Sequence, residues 1–200
     1  MPTLGLVVIA LDEERGLPLT LASVRDVVDE MLVAVDSRTV DGTREAARDA
    51  GARVVEVDFE DFAQMRTAAV AAVRSDWVLM LDADEVLEGD PRPLLQRRAI
   101  WELPRRHWAD LERTRPSAED RAFPDRQARL FPNDPCIHFV RPVHELPKGL
   151  RVRRTKSPVI HHLKEALRDP ATLAARRAQY RELLERGLGQ GYRFRRGKDY

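Results

Sequence analysis

Residues 77–81 constrain the fold of this 200-residue chain more than any other part of the sequence. All five are apolar, and the four residues that follow them, 82–85, are Asp-Ala-Asp-Glu. An uninterrupted apolar run of this length is typical of a strand that is buried on both faces of a parallel sheet. Such a strand would bring Asp82 and Asp84 to the edge of the sheet where open α/β proteins bind their ligands.

The spacing of Asp82 and Asp84 points to a bound cation. Side chains alternate along an extended chain, so both carboxylates point to the same side, with the small Ala83 between them. Neighbouring carboxylates repel each other unless a cation lies between them, and a set of oxygen ligands favours Mg²⁺ or Mn²⁺ over Zn²⁺. The residues alone leave a second interpretation open, in which this segment is an acidic turn that caps a helix near Pro91.

Apolar strands alternate with amphipathic helices through the first half of the chain. The predicted strands are residues 4–10, 31–35, 53–57 and 77–81, and the predicted helices between them are residues 19–28, 44–50 and 62–73. Thr43 is the predicted N-cap of the second helix, and Gly51 is its C-terminal stop. Strands separated by helices in this order predict a parallel, doubly wound sheet.

The pattern is less regular in the second half of the chain. Residues 114–125 combine proline with many charged side chains, which predicts a surface loop, and short strands are predicted near 98–103 and 126–131. Asp169 and Pro170 favour the start of a final helix, as N-cap and first helical residue.

This final helix is predicted to end at Gly187.

Composition and charge narrow the class of protein. The net charge of +1 gives no overall attraction to nucleic acids or membranes, although residues 148–156 and 192–198 are locally basic. The single cysteine, Cys136, excludes an internal disulfide and suits a reducing compartment. No apolar run reaches the roughly 18 residues of a membrane span, and the first three residues do not begin a secretory signal. We therefore expect a cytoplasmic protein without a transmembrane segment.

Seven short segments of the chain occur in the order found in a known family. They read Val-Val-Ile-Ala-Leu-Asp-Glu-Glu (7–14), Val-Asp-Ser-Arg-Thr-Val-Asp-Gly-Thr (35–43), Phe-Ala-Gln-Met-Arg-Thr-Ala-Ala (62–69), Trp-Val-Leu-Met-Leu-Asp-Ala-Asp-Glu (77–85), Ala-Arg-Leu-Phe (128–131), Pro-Val-His-Glu (142–145) and Val-Ile-His-His (159–162). With these segments the chain resembles the family 2 glycosyltransferases, enzymes that use nucleotide sugars. Within that family it looks nearest to the branch that includes the lipopolysaccharide core β-glucosyltransferases.

The resemblance implies a fold and a division of the chain. The expected fold is GT-A, an α/β fold with a Rossmann-like, mostly parallel sheet flanked by helices and followed by a C-terminal helix. We expect one domain, in which residues 1–90 bind the nucleotide sugar, 91–165 bind the acceptor, and 166–200 form the helix and a basic tail. The sequence departs from the family pattern at two positions, since Asp12 stands where Asn is usual and Arg38 stands where Gly is usual.

The resemblance also assigns the metal ligands. It makes Asp84 the direct ligand of Mn²⁺ or Mg²⁺, and a histidine from late in the chain completes the site. Adjacent residues on a strand point to opposite faces, so only one of His161 and His162 can reach the metal. We choose His161, with a buried structural histidine as the alternative.

The resemblance supplies a set of contacts to the nucleotide sugar. The expected residues are Ala10, Asp12, Glu13, Asp36, Arg66, Asp82 and Ala83. An Asp carboxylate at position 36 can accept hydrogen bonds from a pyrimidine or a ribose, and the fork of Arg66 suits diphosphate oxygens. The alternatives are a turn-forming role for Asp36 and an ordinary surface position for Arg66.

The reaction also requires a base that takes the proton from the acceptor hydroxyl group. The resemblance makes Glu145 this catalytic base, with Asp125 as a distant second candidate. His144 could orient Glu145, bind the acceptor or fill a polar gap. Glu85 is expected to shape the turn after the fourth strand.

The expected function is that of an inverting, metal-dependent glycosyltransferase. The favoured donor is a UDP-sugar, with UDP-glucose ahead of GDP-mannose. The acceptor stays open among a glycan, a lipid-linked saccharide, a protein, a small metabolite and a modified nucleic acid base, and so does the oligomeric state. Two other functions stay open as well, a metal-dependent nucleotidyltransferase or phosphohydrolase and a nucleotide-sugar binding module without turnover.

Overall fold

A computed structural model describes residues 1–143 and 145–189 of the chain. Its strands are β1 (Leu4–Ala10), β2 (Glu30–Asp36), β3 (Arg53–Val57), β4 (Trp77–Asp82), β5 (Glu85–Glu88), β6 (Ile100–His107), β7 (Asp125–Pro132), β8 (His138–Val140), β9 (Leu146–Lys148), β10 (Val152–Arg154) and β11 (Val159–His162). Its α-helices are α1 (Leu17–Val24), α2 (Thr43–Asp49), α3 (Phe62–Ala72), α4 (Lys164–Leu167) and α5 (Pro170–Gly189). Two short 3₁₀ helices lie at Arg92–Gln96 and Ala118–Ala122.

The main sheet has the strand order β3-β2-β1-β4-β7-β6-β11-β5, and β10 pairs with the first three residues of β6. The four strands from β3 to β4 are all parallel, whereas β7 is antiparallel to both of its neighbours. Strands β8 and β9 form a separate antiparallel pair. The predicted α/β class with a mostly parallel sheet is therefore confirmed.

The apolar runs of β1 and β4 are buried on both faces of the sheet. Alternate residues of β1 enter two different hydrophobic clusters, with Leu6 and Val8 in one and Val7 in the other. Helix α1 covers the first face with Leu17 and Leu21, while α3 and its neighbours cover the second. Burial on both faces explains why these strands are continuously apolar and why their sequence signal is strong.

The strand boundaries agree closely with the sequence pattern in the first half of the chain, whereas the helix predicted at 19–28 is α1, which ends four residues earlier, at Val24. The four predicted strands correspond to β1, β2, β3 and β4, each within about one residue at either end. Gly51 has a φ of +82°, the left-handed conformation that ends many helices. Thr43, however, is the first residue of α2 rather than its N-cap, which is Gly42. The Thr43 hydroxyl instead accepts a hydrogen bond from the Glu13 backbone N–H at 2.7 Å.

The second half contains more strand than the sequence pattern predicted. The two short predicted strands are β6 and β7, which pair with each other over most of their length. Helix α5 begins as expected, because the Asp169 carboxylate accepts from the backbone N–H groups of Ala171 at 2.8 Å and Thr172 at 2.9 Å. The predicted end at Gly187 is wrong, since α5 continues to Gly189, and the basic segment 192–198 lies outside the described residues.

In residues 1–143 and 145–189, no helix is both long enough and apolar enough to cross a membrane.

Candidate active site

The predicted carboxylates meet at one edge of the sheet. Because β1, β2 and β4 are parallel, their carboxyl ends place Glu13, Asp36 and Asp82 at this same edge. Asp84 follows in the turn between β4 and β5 and is buried. Glu85 is fully buried, and its Oε2 accepts a hydrogen bond from the Asp82 backbone N–H at 2.9 Å, so this carboxylate closes the turn.

Two buried arginines hold the carboxylate of Asp82. Arg129, from β7, donates to Asp82 from Nη1 at 3.2 Å and from Nη2 at 2.5 Å, and it also reaches Glu85 at 3.1 Å. Arg66, from α3, donates from Nη2 to Asp82 at 2.7 Å. Burial by itself would raise the pKa of Asp82, but the two guanidinium groups outweigh it and hold that pKa well below its ordinary value.

Arg66 also binds the predicted catalytic base. Its Nε donates to Oε1 of Glu145, so one guanidinium links Glu145 to Asp82. Arg66 is 4% exposed, and its third nitrogen, Nη1, is buried without a hydrogen-bond partner in the part of the chain that is described. His144, the neighbour of Glu145, lies outside the described residues.

A second pair of arginines binds Glu13, and one of the two also binds Asp84. Arg168, just before α5, donates from Nη1 to Asp84 and from Nη2 to Glu13 at 2.5 Å. Arg176, within α5, also reaches Glu13, at 2.6 Å. Arg168 therefore lies between two buried carboxylates, in the position that a bound cation would also favour.

The two carboxylates beside Arg168 have pKa values shifted in opposite directions. Burial raises the pKa of Glu13, and the negative charge of Asp84 adds to the increase. Burial would also raise the pKa of Asp84, but the His162 ring and Arg168 outweigh it and lower that pKa. The lowered pKa of Asp84 keeps its carboxylate ionised, as a metal ligand must be.

These contacts form one continuous line, which we call the ion-pair chain, in which carboxylates alternate with arginines or with the contacting pair His107 and His162. In the order of their contacts its members are Glu145, Arg66, Asp82, Arg129, Glu85, Arg105, Asp125, His107, His162, Asp84, Arg168, Glu13 and Arg176. All of them lie at the edge of the sheet where β1, β4, β6 and β11 end. A dense set of buried charges that compensate one another is typical of a site built for a charged ligand.

The structure corrects the choice between the two histidines of β11. Nε2 of His162 lies 3.4 Å from Oδ1 of Asp84. His161 points to the opposite face, where its Nδ1 accepts a hydrogen bond from the Trp108 indole N–H at 2.9 Å and its Nε2 lies 3.1 Å from Glu88. Burial lowers the pKa of His161, which fits a neutral histidine packed beside Trp108. The histidine that can join Asp84 is therefore His162, not His161.

His162 and Asp84 offer a ligand pair that fits a divalent cation. Two ligands bound about 2.1 Å from one metal ion are separated by roughly 3.0–3.5 Å, depending on the angle between them. The 3.4 Å between Nε2 of His162 and Oδ1 of Asp84 falls within this range. On its other side, His162 forms a second potential set with His107 and Glu119, whose ligand atoms lie within 4.8 Å of one another.

Asp36, a predicted contact to the nucleotide, is bound in the structure by a neighbouring side chain. Asp36 is 1% exposed, and its carboxylate accepts from Arg38 at Nη2 (2.6 Å) and Nε (3.0 Å). The Arg38 guanidinium in turn lies 5.0 Å above the ring of Phe59. Arg38 is one of the two departures from the family pattern, and it binds the carboxylate that the resemblance assigns to the donor.

Asp12, the other departure, shapes the loop after β2. Its φ is +50°, and its Oδ1 accepts hydrogen bonds from the backbone N–H groups of Val40 at 2.8 Å and Asp41 at 3.3 Å. Ala10 and Ala83 are buried, so at this edge they can offer only backbone atoms to a ligand.

Sequence reasoning missed most of the cations of this site. The sequence pattern assigns no role to Arg105, Arg129, Arg168 and Arg176, although Arg129 lies within the family segment 128–131. One signal was present: Arg129 interrupts an apolar stretch of β7 and is nevertheless buried. A charged residue inside such a strand indicates a buried partner, but the sequence does not say which one.

Comparison with known proteins adds a family match. Residues 6–102 match the model of glycosyl transferase family 2. A TPR repeat-containing protein of Synechococcus elongatus is 34% identical over 187 residues, which cover 81% of this chain and 42% of that protein. An uncharacterized glycosyltransferase of Rickettsia typhi is 31% identical over 87 residues, which cover 44% of this chain and 30% of that protein.

The chain therefore spans less than half the length of these two curated relatives. Among solved structures, a similar chain is glucosyl-3-phosphoglycerate synthase from Mycobacterium tuberculosis in complex with Mn²⁺, UDP and glucosyl-3-phosphoglycerate. It is 25% identical, with a TM-score of 0.44, over 53% of this chain and 44% of that one. The mostly parallel sheet and the family match over its first strands confirm the predicted GT-A fold class. Over residues 6–102 the comparisons thus give a match to the family 2 glycosyltransferases, and they do not single out the lipopolysaccharide core branch.

Proposed function

We propose that this chain is an inverting, metal-dependent glycosyltransferase that moves a sugar from a nucleotide sugar to an acceptor hydroxyl group. The observation that carries the proposal is the position of Asp84 beside His162, at the sheet edge that also holds Asp82 and Glu145. We further propose a UDP-sugar as the donor, bound mainly by residues 1–90, and an acceptor bound mainly by residues 91–165.

The donor side of the site needs to compensate the charge of a diphosphate. A divalent cation, Mn²⁺ or Mg²⁺, held by Asp84 and His162, would supply Lewis-acid neutralisation of the leaving diphosphate. Arg66 has a buried Nη1 without a partner among the described residues, and this N–H group can donate to a phosphate oxygen. The ion pairs of Arg66 to Asp82 and Glu145 hold its guanidinium in place for that contact.

The acceptor side needs a base. In the proposed reaction the acceptor oxygen forms a bond to the anomeric carbon while the bond from that carbon to the phosphate oxygen breaks. The acceptor proton goes to the carboxylate of Glu145, and the nucleoside diphosphate leaves with the bonding electron pair. A single displacement of this kind inverts the anomeric configuration.

The first experiment tests the metal assignment. Asp84→Asn removes a charged ligand and should nearly abolish Mn²⁺-dependent binding of UDP, measured by calorimetry with and without Mn²⁺. Asp90→Asn is a matched control, because Asp90 is exposed in the loop after β5 and, among the described residues, accepts a hydrogen bond from the Arg92 backbone N–H. Binding of UDP and Mn²⁺ by Asp84→Asn at parental strength would overturn the assignment.

The second experiment tests the base. UDP release from UDP-glucose is measured against a panel of hydroxyl acceptors, and the best acceptor is used for the comparison. Glu145→Gln keeps the size of the side chain but cannot accept the proton, so transfer should slow by about 10²- to 10⁴-fold. The affinity for UDP should change much less, because Arg66 keeps its contact with Asp82. Full transfer by Glu145→Gln, or a product with retained configuration, would contradict the mechanism.

A further inference from the structure

The first turns of helix α5 and the two residues before it contact the carboxylates of the candidate active site. We call residues 168–179 the strap. We propose that the strap is an autoinhibitory cover, which competes with the nucleotide sugar and its metal for Glu13 and Asp84 and must be released before they bind. The inference rests on the proposed function and adds a contact that regulates access to its site.

Apolar packing fixes only the two ends of the strap. Leu167 is buried directly before it, and Leu183 and Leu184 are buried after it, in a cluster with Val143. Within the strap itself no apolar side chain is buried. Segments with few buried apolar contacts open locally at a low cost in free energy, so the position of the strap depends on its polar contacts.

Two arginines supply the contacts that hold the strap on the site. Arg168 bridges the carboxylates of Asp84 and Glu13. Arg176 donates from Nη1 to Glu13 at 2.6 Å and from Nη2 to the backbone carbonyl oxygen of Leu11 at 2.8 Å. The strap is therefore attached to the loop after β1 and to the turn after β4, where the donor and the metal are proposed to bind.

These contacts conflict with the ligands of the proposed reaction. Oε1 of Glu13 accepts from Arg168 at 2.5 Å and from Arg176 at 2.6 Å, so it is not free to accept from a ribose hydroxyl group. A divalent cation between Asp84 and His162 would lie beside the guanidinium of Arg168, and the two positive charges would repel each other. Donor and metal therefore bind in proportion to the fraction of molecules in which the strap is open.

Arg176 is the residue through which the strap can be tested without a change to the metal ligands. Its ion pair is with Glu13, and its side chain is 37% exposed, whereas that of Arg168 is 9% exposed and also contacts Asp84. The next residue, Arg177, is exposed on the same helix and forms no ion pair within the described part of the chain. Arg177 therefore offers a control at a neighbouring position.

The test compares Arg176→Met with Arg177→Met. Methionine has nearly the helix propensity of arginine but cannot donate, so the first variant loses the contacts to Glu13 and Leu11 while the helix is preserved. Without UDP and Mn²⁺, amide hydrogen exchange in residues 168–179 should become faster in Arg176→Met and stay parental in Arg177→Met. The affinity for UDP with Mn²⁺, measured by calorimetry, should rise about 3- to 30-fold in Arg176→Met, because more molecules are open.

Exchange in the parent separates this inference from the proposed function. Addition of UDP and Mn²⁺ should make exchange in the strap faster, because both ligands release it. Slower exchange on their addition, parental exchange in Arg176→Met, equal effects in Arg177→Met, or unchanged or weaker binding of UDP by Arg176→Met would each overturn the inference. If the parent binds no UDP with Mn²⁺, the proposed function fails, whereas exchange without ligands still decides whether Arg176 holds the strap.

Discussion

The two halves of this chain make different contributions to the same site. The first half supplies four of the carboxylates, Glu13, Asp82, Asp84 and Glu85, which lie at or within three residues of the carboxyl ends of the buried parallel strands β1 and β4. Apart from Arg66, the cations come from the second half, from β6, β7, β11 and the helical region after them. The acidic edge of the sheet is thus a consequence of its regular strands, whereas the neutralisation of these carboxylates depends on how the irregular half packs against them.

Low pH should weaken the ion-pair chain more than any single substitution, because it protonates several of its carboxylates together. The pKa values of Asp82, Asp84 and Asp125 are lowered in the folded protein from an ordinary value of 3.8. Since the folded state binds fewer protons at these groups, their stabilisation is present above that value and is lost as the pH falls below it. Glu13 has the opposite effect, because its pKa is raised in the folded protein. Above its ordinary value of 4.5 the folded state binds more protons at this group, so the contribution of Glu13 to stability decreases as the pH rises.

We therefore expect the urea midpoint of unfolding to be clearly lower at pH 3 than at pH 6. Equal midpoints at the two pH values would show that the ion-pair chain does not contribute to stability.

Removal of one cation tests the contribution of the second half alone. Arg129→Met keeps much of the side-chain volume but leaves Asp82 and Glu85 without their shared guanidinium. Breaking a buried ion pair on one side typically costs about 3–5 kcal/mol, so we expect a loss of this size in urea unfolding. Arg154→Met is the control, because Arg154 is 73% exposed and its pair with Glu102 should contribute little. Similar losses in the two variants would contradict the distinction between buried and exposed pairs.

Arg168→Leu tests whether a metal ion can replace an internal cation. In the variant, Asp84 still contacts His162 and Glu13 still contacts Arg176. The repulsion between the carboxylates of Asp84 and Glu13, however, is no longer compensated by Arg168. Without metal, the variant should melt at a lower temperature than the parent. Mn²⁺ at about 100 times its dissociation constant stabilises a folded state by roughly 2.7 kcal/mol, so addition of Mn²⁺ should recover much of the loss.

The measurement for Arg168→Leu is thermal unfolding with and without Mn²⁺, with Arg154→Leu as the matched surface variant. The same shift on addition of Mn²⁺ in both proteins would show that Arg168 and the metal do not share a position.

The smallest expected effect concerns the departure at Arg38. Arg38→Gly restores the residue that is usual in the family and frees Asp36 from its side-chain hydrogen bonds. One such bond is worth about 0.5–1.5 kcal/mol, so UDP affinity should rise roughly 2- to 10-fold in calorimetry. Asp36→Ala should instead lower it about 3- to 30-fold. Weaker binding by Arg38→Gly would show that Arg38 itself contacts the nucleotide.

The regular part of this protein can be predicted from local patterns in its sequence. Strands β1 and β4 are buried on both faces, so the apolar runs that predict them are local and continuous, and the carboxylates that follow them are placed by strand direction alone. The family segments added the likeness to glycosyltransferases, and residues 6–102, where these segments are densest, are also the part that matches the family model.

The partner of each charged side chain, in contrast, is set by the packing of elements that are distant in the sequence. Arg168 lies 84 residues from Asp84, and Arg66 lies 79 residues from Glu145, so no local periodicity connects them. The choice between His161 and His162 likewise depended on which face of β11 meets the turn before β5, and a one-residue shift in register would have reversed it. Periodic patterns report burial within one element, whereas ion pairs and metal ligands are set by distances between elements, which only packing fixes.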